Sequence, residues 1–218
     1  PYKQLLQDNK IPYEELQHTE ELILNADWVI KSPGIPKKAP LIQKIMEKGI
    51  RISSEIEFAA EFTNAKIIAI TGSNGKTTTT SLIYHTLVND RFNVGLGGNI
   101  GKSFAKQVAD ENYDFYVLEV SSFQLDDIQN FRPYISLLLN LSPDHLDQYN
   151  YNYEEYALAK FRIAEALLIF GDPVAKPALS TQKMLFNQHI QLVLNFCIAE
   201  FHDRLSVRFL IAARHDAI

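Results

Sequence analysis

Hydrophobic positions along the chain fall into short continuous runs separated by stretches with helical spacing. Trp28 to Ile30 and Ile50 to Ile52 are apolar runs of strand length, and Leu41 to Lys48 and Glu55 to Phe62 carry the helical pattern, so the first sixty residues read as β/α alternation. Pro1 to Lys10 has an amphipathic helical pattern from its first residues and no signal-peptide pattern. Lys66-Ile-Ile-Ala-Ile-Thr71 is a continuous, mostly β-branched run, the mark of a strand buried on both faces, and it feeds a glycine turn and a helix over about 76–88. Further strands are predicted at Val94 to Leu96, Phe115 to Val120 and Tyr134 to Leu141, with a helix from Ser103 to Ala109. Asn152-Tyr-Glu-Glu155 has the polar-x-x-Glu form of a capped helix start, and the helix is expected to reach about Ala166. Strands alternating with helices predict a mostly parallel sheet.

Composition narrows the function. The 218 residues carry 21 Lys and Arg against 26 Asp and Glu, a formal charge of −5, with no basic block, which argues against nucleic acid as the main partner. The most apolar stretch, Met184 to Leu205, is interrupted by Asn187, Gln188, His189, Gln191 and Asn195, so no membrane insertion is expected. A single cysteine, Cys197, excludes an internal disulfide framework and fits a reducing compartment. All ten tyrosines precede Ala157 and no glycine follows Gly171, so residues 167–218 differ in character and receive no organisation. Without an initiator Met, the chain reads as a fragment.

The strongest chemical signal is Thr71-Gly-Ser-Asn-Gly-Lys-Thr-Thr78, between a buried strand and a helix. Backbone N–H groups of Gly72, Ser73, Asn74, Gly75 and Lys76 can converge on phosphate at the helix N-terminus, the Lys76 ammonium can pair with β/γ-phosphates, and the Thr77 hydroxyl can reach Mg²⁺. Ile70 stands where the strict phosphate-loop spacing has its first glycine. Four successive threonines make a poor helix start for stability alone, which favours a ligand role over a simple turn.

Three other segments follow strands. Gly95-Leu-Gly-Gly-Asn-Ile-Gly101 allows close backbone approach. In Tyr116-Val-Leu-Glu-Val-Ser-Ser-Phe-Gln-Leu125 an apolar strand delivers Glu119 to the sheet's C-terminal end, where open α/β sheets bind ligands. A buried carboxylate needs a partner, and a metal or a nearby lysine is expected. Asp144, His145 and Asp147 cluster after the next strand and suit Mg²⁺, a substrate oxygen, or an Asp-capped turn with a surface His. Lys160 shares a helical face with Tyr153, Ala157 and Ala164, a placement that can desolvate the amine and lower its pKa. In Ser32-Pro33-Gly34-Ile35-Pro36 the prolines block regular pairing and Gly34 permits a positive φ.

Six ordered segments resemble the ATP-dependent Mur ligases of peptidoglycan synthesis: Ser32 to Ile35, Gly72 to Thr77, Gly97 to Gly101, Glu119 to Leu125, Pro143 to Asp147 and Ala159 to Ile163. The first and fourth look most like the D-glutamate-adding branch. The resemblance implies an α/β chain: a partial Rossmann-like, UDP-substrate-binding domain over 1–62, a P-loop-type central ATPase domain with a mostly parallel sheet over 63–175, and an unassigned tail over 176–218. It further implies transfer of phosphate from ATP to the carboxylate of UDP-N-acetylmuramoyl-L-alanine, followed by attack of the D-glutamate amine on the acyl phosphate. By the same resemblance Gly72 to Thr78 hold ATP, Thr77 and Glu119 hold one Mg²⁺, and His145 with a carbamylated Lys160 attends a second. Lys76, Glu119, His145 and Lys160 form the catalytic set. Ser32, Gly34 and Ile35 match the uridine-diphosphate end, and Asn99, Ser121 and Gln124 match muramoyl contacts. A cytoplasmic monomer is expected. The competing expectations are another Mur or folylpolyglutamate-type ligase, and a fragment that binds nucleotide without turnover.

Overall fold

The computed structural model describes residues 2–144, 146–165 and 210–213. The chain divides into two compact units, Pro1–Ser53 and Ser54–Ile218.

In the first unit, helices α1 (Tyr2–Asp8) and α2 (Glu20–Leu24) precede strand β1 (Trp28–Ile30), helix α3 (Pro40–Glu47) and strand β2 (Arg51–Ser53). β1 and β2 pair in parallel, Trp28 opposite Arg51 and Ile30 opposite Ser53. Pro40 occupies the first turn of α3, where its missing N–H costs nothing, and the helix buries Ile42 and Ile45. The Arg51 guanidinium lies 3.8 Å from the centre of the Trp28 ring, and the indole N–H donates to Ser53 Oγ at 2.8 Å.

The second unit opens with α4 (Glu55–Ala60), followed by β3 (Lys66–Thr71), α5 (Lys76–Asn89), β4 (Val94–Gly98), α6 (Phe104–Asp110), β5 (Phe115–Glu119), α7 (Ser122–Leu125), β6 (Ile135–Leu138), a 3-10 turn (Leu146–Tyr149), α8 (Tyr153–Glu165) and β7 (Leu210–Ala213). Helix α4, placed by its pattern with the first segment, packs within this unit. Its Glu55 carboxylate accepts from Ser103 Oγ and Ala105 N, and its buried Glu57 accepts the N–H groups of Gln129, Asn130 and Phe131.

The sheet order is β4-β5-β3-β6-β7, parallel except for the β6–β7 pair. The expected mostly parallel α/β sheet is therefore present. Strand β3 sits at its centre, and the alternation of its side chains builds two cores. Ile67 and Ala69 pack on one face with Ile56, Phe104, Leu118 and Ile163, whereas Ile68 and Ile70 pack on the other with Val117, Leu137 and the α5 residues Ile83 and Leu87. Two differences from the predicted elements bear on the site. β4 continues through Gly97 and Gly98, and β6 stops at Leu138 rather than Leu141, which leaves Asn140 to Ser142 outside the ladder. Of residues 167–218, which received no organisation, only 210–213 are among the described residues.

Candidate active site

The C-terminal ends of β3, β4, β5 and β6 bring four of the singled-out segments together. β3 ends at Thr71 and the chain turns through Gly72 to Gly75 into α5. Gly75 has φ 81°, a left-handed conformation natural to glycine, and no side chain caps the helix. The first-turn N–H groups of α5 thus lack intrahelical partners, as an anion site requires. The Lys76 ammonium folds back to donate to Gly72 O at 2.9 Å and Ser73 O at 3.0 Å.

One part of the expected cradle differs. Ser73 N donates to Asn140 O at 3.1 Å, and Asn74 N donates to Asn140 Oδ1 at 2.9 Å. Each N–H carries one hydrogen, so those two donors are already engaged, which leaves the N–H groups of Gly75 and the start of α5 as the donors open to an anion. Asn140 Nδ2 in turn donates to Asn74 O at 2.9 Å. Ser73 Oγ donates to Ser142 O at 2.9 Å and accepts from Ser142 N at 2.9 Å. Its hydrogen being spent, the 2.7 Å contact with Tyr156 must run from the phenol to Ser73 Oγ. Burial raises the Tyr156 pKa, so the phenol keeps the proton it donates.

Glu119 ends β5, an interior strand, and is 2% exposed, so its carboxylate is withdrawn from water. Its partners are neutral rather than the lysine expected as one option. Thr77 Oγ1 donates to Oε2 at 2.7 Å, and Asn99 Nδ2 donates to Oε1 at 2.8 Å. Asn99 N also donates to Glu119 O at 2.8 Å, so Asn99 grips both the main chain and the carboxylate. Gly98 makes this approach possible: a Cβ there would lie 2.1 Å from Glu119 O, and its φ is 94°. A buried carboxylate beside a hydroxyl is a hard-oxygen donor pair that suits Mg²⁺.

Lys160 is more deeply placed than its pattern predicted, at 3% exposed. Its ammonium donates to Gly72 O at 3.0 Å and lies 4.9 Å from the centre of the Tyr156 ring. Burial, and then the neighbouring Lys76 cation, push its pKa down to about 8 against the opposing pull of Asp144. His145 lies outside the described residues. Asp147 is exposed in the 3-10 turn.

Ser121 and Gln124 form a reciprocal capping box on α7. Ser121 Oγ accepts from Gln124 N at 3.3 Å, and Gln124 Oε1 accepts from Ser121 N at 2.9 Å. In the first unit, Ile35 N donates to Ser32 O at 3.1 Å, closing a turn over Pro33 and Gly34, and the buried Lys31 donates to Ile35 O at 2.8 Å. The positive φ that Gly34 permits is not used. Motif reading did not single out Lys31, Asn140, Ser142 or Tyr156 as site residues. The available signal was Asn140, a turn-forming residue placed directly after an apolar run.

The Mur ligase middle domain model matches residues 70–212, and the MurD N-terminal domain model matches residues 2–40. The UDP-N-acetylmuramoylalanine--D-glutamate ligase of Bacteroides thetaiotaomicron is 56% identical over 186 residues, which cover 82% of this chain and 42% of that protein. The ligase of the same name from Christiangramia forsetii is 56% identical over 164 residues, covering 75% and 37%. The chain thus spans about two fifths of the length of these relatives. A Neisseria meningitides UDP-N-acetylmuramate:L-alanyl-gamma-D-glutamyl-meso-diaminopimelate ligase structure aligns with a TM-score of 0.49 at 19% identity, over 76% of this chain and 57% of that one. Because the middle-domain match extends over more than half of the sequence, from the end of β3 through α8 to β7, this chain belongs to the Mur ligase family.

Proposed function

We propose that the protein is the D-glutamate-adding ligase of peptidoglycan precursor synthesis, or the greater part of its nucleotide-binding portion. It would use ATP to activate the terminal carboxylate of UDP-N-acetylmuramoyl-L-alanine as an acyl phosphate, which the amine of D-glutamate then attacks. The observation that carries the nucleotide half is the meeting of an uncapped α5 N-terminus, Lys76 and the Thr77–Glu119 pair at the C-terminal end of the sheet's interior strands. The choice of acceptor amino acid is supported by the names of the relatives that are 56% identical.

In this reading the N–H groups at the start of α5 bind phosphate oxygens, and the Lys76 ammonium leaves the Gly72 and Ser73 carbonyls to pair with the β/γ-phosphates. Thr77 and Glu119 would hold Mg²⁺, which when bound neutralises charge on the transferring phosphoryl group. Asn99 orients the Glu119 carboxylate. The neutral Lys160 amine would add to CO₂, forming an N–C bond and releasing a proton, and the resulting carbamate is an anion able to join His145 at a second cation. Ser32, Gly34 and Ile35 would receive the uridine diphosphate, and Ser121 and Gln124 the muramoyl side. The reading takes the enzyme as a cytoplasmic monomer; among the described residues no helix is long and apolar enough to cross a membrane.

The test measures ADP release with ATP and MgCl₂. Release that requires both UDP-N-acetylmuramoyl-L-alanine and D-glutamate, and that L-glutamate or folate does not replace, is expected. Release with folate or another amino acid would reassign the substrate. A second reading follows from the two-fifths coverage: the chain binds nucleotide and does not turn over, and ATP binding without ADP release would establish it.

A further inference from the structure

We propose that Asn140 is a positioning residue for the phosphate loop, one that aims the Gly75 N–H at the nucleotide. The inference rests on the assignment of Gly72 to Thr78 to ATP. Asn140 stands just beyond β6, and its side-chain amide meets both backbone groups of one residue: Oδ1 accepts from Asn74 N at 2.9 Å and Nδ2 donates to Asn74 O at 2.9 Å. Since a backbone N–H can only donate and a backbone carbonyl can only accept, the two contacts also fix which way the Asn140 amide is turned.

Those two groups belong to different peptide planes. Asn74 N–H lies in the plane shared with Ser73, and Asn74 C=O lies in the plane shared with Gly75. A planar trans peptide holds its N–H antiparallel to its C=O, so a carbonyl aimed at Asn140 directs the Gly75 N–H to the opposite side. One side chain therefore sets both dihedrals of Asn74 and the direction in which the chain enters the left-handed Gly75 and then α5. A third bond, Ser73 N to Asn140 O at 3.1 Å, holds the preceding residue to the same anchor. Packing leaves little freedom underneath, because a Cβ on Gly72 would lie 3.0 Å from Leu139 Cβ and 3.4 Å from Asn140 N.

The clamp also has a cost that identifies its purpose. It spends the Ser73 and Asn74 N–H groups, two potential phosphate donors, on protein. A loop selected only for the number of its donors would leave them available. This loop gives them up for order, so that the remaining donors are in place before the nucleotide arrives and little conformational entropy is lost on binding.

The experiment compares ATP affinity, measured by calorimetry at 15 °C with MgCl₂, for the 218-residue chain and its Asn140→Ala and Asn140→Asp variants. Asn140→Ala removes both side-chain bonds and keeps the main-chain bond to Ser73, and ATP affinity is expected to fall about tenfold. Asn140→Asp keeps an acceptor for Asn74 N but sets a carboxylate oxygen against Asn74 O, and it is expected to lose at least as much. Both variants should remain folded at 15 °C by circular dichroism, with melting temperatures recorded alongside. A merely structural role would lower the melting temperature and leave affinity at 15 °C within twofold, and that outcome overturns the proposal. Tighter ATP binding by Asn140→Ala also overturns it, since the freed Asn74 N–H would then be a better phosphate ligand than the clamp is a positioner. Failure of the unaltered chain to bind ATP would instead sink the nucleotide assignment itself.

Discussion

Lys76 and Lys160 donate to the same acceptor, the carbonyl oxygen of Gly72, at 2.9 and 3.0 Å. Two ammonium groups that share one oxygen lie within about 6 Å of each other, close enough at protein-like screening for repulsion of a few kcal/mol. The more deeply buried of them, Lys160, has its pKa lowered to about 8, with burial the larger cause and the Lys76 charge the next.

This has a consequence for stability against pH. An unfolded lysine holds its proton to about 10.4, so between pH 8 and that value the unfolded chain binds more protons than the native one. Stability should therefore rise with pH across that window, by up to about 1.4 kcal/mol per unit, and be lowest below it, where the native state carries the buried cation. Lys160→Met should flatten the rise. Urea unfolding at pH 7.5, 9 and 10 checks this, and an equal slope in the variant would assign the dependence to other groups.

Lys76→Ala keeps the N-terminus of α5 but removes its point charge. Affinity for ATP should fall about 10- to 100-fold, the worth of a charge-assisted contact to phosphate, with the circular dichroism spectrum unchanged. Isothermal titration of both forms provides the comparison. Equal affinities would mean that Lys76 serves only its two carbonyl partners.

Glu119→Gln separates charge from hydrogen bonding. Gln can still accept from Asn99, and its amide can donate to the Thr77 hydroxyl, which turns to accept, so stability should change by less than about 1 kcal/mol. What disappears is the negative charge. The gain in ATP affinity on adding MgCl₂ should be lost, and a magnesium effect that persists would place the metal elsewhere.

Much of this arrangement was legible from residue patterns, for identifiable reasons. The β-branched run at Lys66 to Thr71 could only be a strand buried on both faces, and a glycine turn followed by Lys76 and threonines announced the loop beyond it. Glu119 stood out because a carboxylate in an apolar strand needs a reason. The hidden part was long-range and neutral. Nothing local says that Asn140 will meet Asn74 or that Tyr156 will meet Ser73, because amide and hydroxyl contacts carry no spacing rule across 66 or 83 positions. The end of β6 was overrun for the same reason: Leu139 to Leu141 look like strand, yet the chain leaves the ladder to hold the loop. Ser121 and Gln124, chosen by resemblance, also have a local role as a helix cap that a four-residue helix is too short to advertise.

Two glycines should respond in opposite ways to alanine. At Gly98 the new Cβ would fall 2.1 Å from Glu119 O in a left-handed backbone, and the variant should lose more than about 3 kcal/mol or fail to fold. At Gly34 nothing lies within 4 Å and φ is not positive, so stability should hold within about 0.5 kcal/mol. Thermal melts with and without UDP measure both effects. A Gly34→Ala protein of normal stability that no longer gains from UDP would show that the ligand itself needs the space; an unchanged gain would remove Gly34 from the uridine end.

The central place of β3 governs when a growing chain can become competent. Its two neighbours, β5 and β6, are synthesised long after it, and the anchor of the phosphate loop, Asn140, emerges later still. Until then this strand, buried at five of its six positions in the folded unit, has no partner on either edge, and the turn that follows it lacks its bonds to Asn140. Such non-local pairing slows folding and leaves a nascent β3 exposed, and translation stopped before residue 140 would deprive the turn at Ser73 and Asn74 of its three bonds to Asn140.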